Sequence, residues 1–110
     1  MSELLKNAKK FLDSADIVYK SLDYTSATIL YFKALFVIID YIILSAQGKS
    51  PKDHAERFRI LEKDFPGLYS LLDKYYPVYR DTYSLSIKKE VCNEVKRVIE
   101  TVIKEHKIQL

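Results

Sequence analysis

Residues 29–44 read ILYFKALFVIIDYIIL, and this apolar segment sets the fold class. Only Lys33 and Asp40 are charged in it, and because they are seven residues apart they share one narrow polar stripe on a helix. A membrane span needs about 20 apolar residues and strongly penalises both charges. The segment therefore predicts a central buried helix from Ala27 to Gln47, with Gly48 as its C-terminal stop.

Amphipathic patterns flank this segment on both sides. Before it, apolar residues at alternating spacings of four and three predict a helix over residues 3–22 with Ser2 as N-cap: Leu4, Ala8, Phe11, Ala15, Val18 and Leu22. After it, a valine stripe predicts a last helix over residues 86–107: Val91, Val95, Val98 and Val102. Both helices would pack their apolar faces on the central one.

Helix starts and stops divide the region between residues 50 and 77. Ser50-Pro51-Lys52-Asp53 predicts a third helix from about Pro51 to Asp64, and Pro66-Gly67 ends it. A short helix over residues 68–76 then stops before Pro77. With loops of about three to six residues, the chain is predicted to be one all-α domain over residues 1–110. We expect an up-down antiparallel four-helix bundle with a broken third arm that contains one extra short helix.

Composition excludes several classes of function. One cysteine and two scattered histidines are too few for a typical zinc site, and no glycine-rich phosphate loop occurs, so we expect no metal and no cofactor. A net charge of +3 does not by itself imply nucleic acid. The start lacks the order of a secretory signal, which favours a cytoplasmic protein. Few Asn and Gln beside many Lys, Ile, Val and Tyr are typical of proteins from heat-loving organisms, although chance in a short chain gives the same bias.

A polar and aromatic bend is predicted at Tyr79-Arg80-Asp81-Thr82-Tyr83-Ser84. Near a helix start, the guanidinium of Arg80 and free backbone amides would both attract a phosphate or a carboxylate. The simpler alternative is that Arg80 pairs with a neighbouring acid and that Tyr83 only packs. The tyrosines between residues 69 and 83 either stack on bases or, as we favour, pack in the bundle or fill a self-interface.

Asp40 and His54 are two further candidates. Asp40 either faces solvent or points to a buried polar site, where it could orient Arg80. His54 is a general base, a phosphate contact or only a capping and packing residue near a helix start. The sequence leaves each of these alternatives open.

The layout as a whole resembles the HEPN family, the higher eukaryote and prokaryote nucleotide-binding domains. The resemblance is carried by the first amphipathic helix, by Ser26-Ala27-Thr28 leading through Tyr31-Phe32-Lys33-Ala34 into the apolar segment, by Gly48, Pro51 and His54, and by Arg80 with Tyr83 ahead of the last helix. It implies a small helical bundle that dimerises.

Nuclease members of that family carry an arginine followed a few residues later by a histidine. Arg80 matches the arginine, but Leu85, Ser86 and Ile87 stand where the histidine would fall. None of these side chains titrates near neutrality, as general acid-base work on RNA requires. The resemblance then implies the non-nuclease branch: a non-catalytic homodimer that binds a nucleotide, RNA or a minimal nucleotidyltransferase partner in a toxin-antitoxin pair. The alternatives are a degenerate ribonuclease that uses His54 and a purely structural interaction module.

Overall fold

Residues 2–110, which the computed structural model describes, form five α-helices and no β-strand. The helices are α1 (Glu3–Lys20), α2 (Tyr24–Gln47), α3 (His54–Asp64), α4 (Pro66–Asp81) and α5 (Lys89–Glu105). The prediction of an all-α fold is confirmed.

The long apolar helix α2 is the centre of the fold. It packs against α1, α5 and α4, while α3 packs mainly against α4. Its inward side chains are fully buried: Tyr31, Phe32, Leu35, Ile38, Ile39 and Ile43. By length and composition α2 could cross a membrane, but 61% of its most apolar window is buried inside the protein, as in the core helix of a soluble domain. The prediction of a central buried helix is confirmed.

The ends of the first two helices follow local capping chemistry. The Ser2 hydroxyl accepts a hydrogen bond from the Leu5 amide, and Gly48 ends α2 in the left-handed region at φ 83°, both as predicted. Asp23 caps α2 by accepting from the Ser26 amide at 3.0 Å, so α2 begins three residues before Ala27. Because α1 ends at Lys20, Leu22 lies in the turn and is 71% exposed, and its predicted place in the buried face is wrong.

In contrast to α2, helices α3 and α5 begin three residues later than predicted, at His54 and Lys89. Asp53, in an extended conformation, caps α3 by accepting from the Glu56 amide at 2.8 Å, which excludes Pro51 to Asp53 from the helix. Before α5, the Ile87 amide donates to the Thr25 hydroxyl at 2.8 Å. This bond holds the chain against the start of α2, and α5 begins only at Lys89.

Helix α4 continues through Pro77, and the predicted stop after Tyr76 is wrong. Proline removes the amide that would bond the carbonyl of Asp73. Both residues are exposed, so water can bond that carbonyl and the helix loses little. The segment predicted as a bend is therefore partly helical: Tyr79, Arg80 and Asp81 form the last turn of α4.

Polar contacts tie α1 to its two neighbours. The buried Tyr31 hydroxyl of α2 donates to Asp16 of α1, and Lys96 of α5 lies 3.5 Å from the same carboxylate. The Tyr19 hydroxyl donates to Asn93 at 2.6 Å. Burial and the adjacent Asp16 carboxylate raise the pKa of Tyr31, which keeps its hydroxyl a donor.

Candidate functional site: the groove between α3 and α4

Helices α3 and α4 pack against each other and are joined by Phe65 alone. We call this pair of helices the α3–α4 hairpin. Each helix buries one face. Helix α3 buries Arg57 and Leu61, and helix α4 buries Leu68, Leu72 and Tyr79. Between their outer faces lies a solvent-open depression of about 420 Å³, which we call the α3–α4 groove. It is lined by Phe58, Arg59, Glu62, Tyr69, Asp73, Tyr76, Pro77 and Arg80.

Arg80 lies in this groove with an exposed side chain. Among the ion pairs and side-chain hydrogen bonds of residues 2–110, none involves Arg80, in contrast to the predicted alternative of pairing with a neighbouring acid. Arg80 lies at a helix C-terminus and not near a helix start, where free amides would help to bind an anion. That part of the prediction is wrong, and only the guanidinium is left to attract an anion.

The other charges of the groove are only loosely engaged. The Arg59 side chain is 71% exposed and lies 3.7 Å from a Glu56 oxygen, a distance and exposure at which an ion pair contributes little. Glu62 lies beside Tyr69 and raises the pKa of its hydroxyl. Asp73 is exposed on the wall formed by α4. The groove thus offers two arginines and two carboxylates on two adjacent helices.

Tyr76 is the aromatic wall of the groove. Its ring meets Phe58 edge to face, with centroids 5.0 Å apart, and contacts Tyr79 and Phe36 on its inner side. Tyr79 is buried, so packing explains most of this tyrosine group. Tyr83 is different, because it is 77% exposed and touches only the edge of Tyr79, with the two hydroxyl oxygens 3.4 Å apart.

Asp40 does not orient Arg80, because it forms a buried ion pair with Arg57. The Arg57 Nε and Nη2 atoms donate to the two Asp40 carboxylate oxygens at 2.7 and 2.9 Å. The two side chains are only 8% and 13% exposed, and the Arg57 guanidinium also lies 4.9 Å from the centre of the Phe36 ring. The buried polar site expected as one alternative for Asp40 exists, but its partner is an arginine of α3.

The Arg57 guanidinium also fixes the state of His54. Its Nη1 donates to Nδ1 of His54, so that nitrogen must be an acceptor and the proton must lie on Nε2. Partial burial of the ring, followed by the positive charge of Arg57, lowers the pKa of His54. The ring packs edge to face on Phe36 with centroids 4.8 Å apart. A neutral imidazole whose Nδ1 is already occupied is poorly suited to be a general base.

Asp81 and Cys92 are the remaining side chains that could take part in a reaction or bind a ligand. Asp81 ends α4 with an exposed side chain, and its backbone carbonyl accepts from the Leu85 amide at 2.8 Å. Cys92 is fully buried, and burial raises the pKa of its thiol, which disfavours the nucleophilic thiolate. Within residues 2–110 no three His, Cys, Asp or Glu side chains are grouped to hold a metal ion.

A larger depression of about 730 Å³ lies at the opposite side of α2. It is lined mainly by the start of α1, the end of α2 and the C-terminal residues 106–109, and it contains none of the predicted site residues. Its lining includes His106 and Lys107 but no carboxylate, so it lacks the paired charges of the α3–α4 groove. We therefore take the α3–α4 groove as the candidate site.

The structure separates the predicted site residues into three places. Arg80 lies in the groove, Asp40 and His54 join the buried cluster around Arg57, and Tyr83 and Asp81 lie at the end of α4. Sequence reasoning missed Arg57. The spacing of His54 and Arg57 was a usable signal, since residues three apart share a helix face.

Comparison of the chain with protein-family models, with curated proteins and with solved structures found no match in any of the three.

Proposed function

We propose that this chain is a non-catalytic, HEPN-like domain that binds a nucleotide in the α3–α4 groove. In this proposal α1, α2 and α5 are three arms of an up-down antiparallel four-helix bundle, and α3 with α4 is the broken third arm. The order of the helices and the short connections between them support that arrangement.

The observation that carries the proposal is the guanidinium of Arg80, which has no ion pair among residues 2–110 and lines the groove together with Tyr76. A guanidinium matches the geometry of a phosphate, and an aromatic face accepts any base. A groove of about 420 Å³ also falls within the range of small-molecule sites. Phosphate and base of one mononucleotide can therefore be held by a single wall of α4.

The state of His54 favours a binding function over cleavage. The alternative of a degenerate ribonuclease needs a group that exchanges a proton near neutrality. The ring of His54 packs against Tyr76 of the groove wall, its Nδ1 accepts from Arg57, and burial followed by the charge of Arg57 lowers its pKa. Cleavage of mixed RNA that disappears in both Arg80→Ala and His54→Ala would replace our proposal with the nuclease alternative.

Calorimetry with GTP, ATP and short RNA oligonucleotides tests the nucleotide function. We expect heat of binding that is lost in Arg80→Ala and retained in Arg97→Ala, which removes an exposed arginine of α5 outside the groove. Circular dichroism of both variants controls for the fold. Absence of binding by the wild-type chain would refute the proposal.

Exposed apolar side chains favour a second candidate, a dimerisation or protein-interaction module. Tyr83 is 77% exposed and Leu85 58% exposed, both in or near the connection between α4 and α5, and Ile17 and Leu22 are exposed to 70% and 71%. Exposed large apolar side chains favour association when they are close together. The partner would be a second copy, or the nucleotidyltransferase that the resemblance implies.

Light scattering tests this second candidate. We expect a dimer at high concentration that dissociates in the double variant Tyr83→Ser, Leu85→Ser. A strict monomer would contradict the homodimer. Mixing the chain with a nucleotidyltransferase encoded by a neighbouring reading frame would then test the remaining partner.

A further inference from the structure

We infer that a proton on His54 switches the attachment of α3 to α2, so that mild acidification opens α3 while the other four helices stay folded. The observation behind this inference is the chain of contacts from Asp40 of α2 through Arg57 to the His54 ring. No ligand takes part in the opening, so the inference does not depend on the proposed nucleotide-binding function.

Arg57 and His54 fasten the first turn of α3 to one face of α2. The Arg57 Nε and Nη2 atoms donate to the Asp40 carboxylate at 2.7 and 2.9 Å, and Nη1 donates to Nδ1 of His54. The His54 ring in turn packs on Phe36 of α2, with centroids 4.8 Å apart. Phe36 and Asp40 are four residues apart and therefore lie on the same side of α2. The attachment of this turn thus requires that Nδ1 of His54 accept a hydrogen bond.

A protonated His54 ring cannot keep this contact. Both nitrogens of an imidazolium carry a proton, so an N–H of His54 would face an N–H of Arg57 and two positive charges would touch. From α4 the ring meets Tyr76 and Tyr79, with centroids 5.7 and 6.0 Å apart, and neither offers a negative charge near neutrality. Burial of the ring, followed by the charge of Arg57, lowers the pKa of His54. The folded contact therefore favours the neutral ring.

Three further charged groups act on the His54 ring. Lys33 of α2 disfavours the proton, whereas Asp40 of α2 and Asp53, the cap of α3, favour it. Both carboxylates already accept hydrogen bonds, Asp40 from Arg57 and Asp53 from a backbone amide of α3. Two cations and two anions thus surround the ring, and its burial, which is the largest effect, decides the balance against the proton.

Helix α3 is weakly held once its first turn is released. It has 11 residues, and helices shorter than about 12 residues are marginal on their own in water. At its other end, a second link to α2 is an exposed hydrogen bond of 2.7 Å from Gln47 to Asp64. Opening moves His54 into water, where its pKa returns toward the ordinary value of 6.5. The open state therefore binds the proton more readily than the folded state, and acidification increases its population.

Amide hydrogen exchange of the full chain between about pH 5 and 8 tests the inference, with rates corrected for the intrinsic effect of pH on exchange. We expect α3 to open more often than α2 at every pH. As the pH falls below about 6.5, the opening constant of α3 should rise by up to about tenfold per pH unit, because one proton is taken up. In His54→Gln, whose amide oxygen can still accept from Arg57 but does not titrate, the constant should stay level. The matched control His106→Gln, exposed at the end of α5, should keep the rise.

Three results would overturn the inference. A rise that persists in His54→Gln would assign the effect to the carboxylates. A level opening constant in the wild-type chain would show that the protonated ring turns into solvent without releasing α3. Equal protection of α2 and α3 at every pH would show that the proton acts only through unfolding of the whole protein. None of these results bears on nucleotide binding in the α3–α4 groove.

Discussion

Arg57 connects two side chains of α2, Asp40 and Phe36, with His54 of its own helix. It donates two hydrogen bonds to Asp40, one to His54, and lies over the Phe36 ring. Within residues 2–110 no buried side-chain nitrogen or oxygen lacks a hydrogen-bond partner, and this cluster shows how the charge of Asp40 is satisfied. The cluster fastens the start of α3 to the centre of the fold.

Removal of one partner of this pair should be costly, because the other would remain as an unpaired buried charge. We expect Asp40→Ala to lower the free energy of unfolding by about 3–5 kcal/mol. The double variant Asp40→Leu, Arg57→Met should recover most of that loss, since both buried charges are then absent. Urea unfolding followed by circular dichroism measures both.

A surface pair serves as the control for this prediction. Lys6→Ala breaks the exposed contact between Lys6 and Glu3 and should change stability by less than about 1 kcal/mol. If Asp40→Ala cost no more than Lys6→Ala, the buried pair would not stabilise the position of α3.

His54 should make stability depend on pH. Its pKa is lowered in the folded protein, so below its ordinary value of 6.5 the unfolded chain binds the proton more readily. Stability from this residue is therefore present above about pH 6.5 and is lost as the pH falls through the lower pKa of the folded state. We expect thermal unfolding to show a decline on acidification that is smaller in His54→Gln.

The other histidine provides the matched control. His106 lies exposed at the end of α5, outside the cluster around Arg57, so His106→Gln should keep the decline. Carboxylates contribute their own acid dependence at lower pH, and the comparison is therefore made between variants. An identical pH profile in His54→Gln and the wild-type chain would contradict the lowered pKa of His54, which burial and the charge of Arg57 explain.

At the scale of the helices, local signals gave the type of each element more reliably than its ends. The order of apolar residues predicted α1, α2 and α5, and Gly48 marked the end of α2 correctly. The start of α3 was predicted at Pro51, after Ser50, but the observed cap is Asp53, three residues beyond Ser50. Pro77 was read as a stop, but its exposed position lets α4 continue.

Mutation can compare the observed cap of α3, Asp53, with Ser50, the residue before the predicted start. Asp53→Ala should destabilise the protein by about 1 kcal/mol, because the Glu56 amide loses its acceptor. Ser50→Ala, the matched control at an exposed position outside the helix, should change stability by less than about 0.5 kcal/mol. Thermal unfolding compares them, and a larger effect for Ser50→Ala would place the helix start at Pro51.

At the scale of the whole molecule, the α3–α4 hairpin is attached to the core mainly through α4. Helix α3 buries only Arg57 and Leu61 deeply, whereas α2 buries eleven of its 24 residues. Parts of a protein with few buried apolar contacts open at lower free energy than the core. The candidate site is therefore built partly on the less protected side of the fold.

Amide hydrogen exchange should reveal this difference. We expect backbone amides of α3 to exchange well before those of α2, and amides along α3 and α4 to slow when a nucleotide occupies the groove. Mass spectrometry of proteolytic fragments from the intact chain measures both effects. Equal protection of α2 and α3 would show that the hairpin opens only with the whole protein.

The helical class and the central position of α2 were determined by sequence, because periodicity is a local pattern and a helix that is apolar almost all round must be covered on most sides. The exposed Arg80 could be named from sequence, but its role could not. Tertiary structure decided that Asp40 pairs with Arg57 across 17 positions and that α3 and α4 bring Arg59, Asp73 and Arg80 to one groove. Contacts between helices depend on register and packing, which no local pattern specifies.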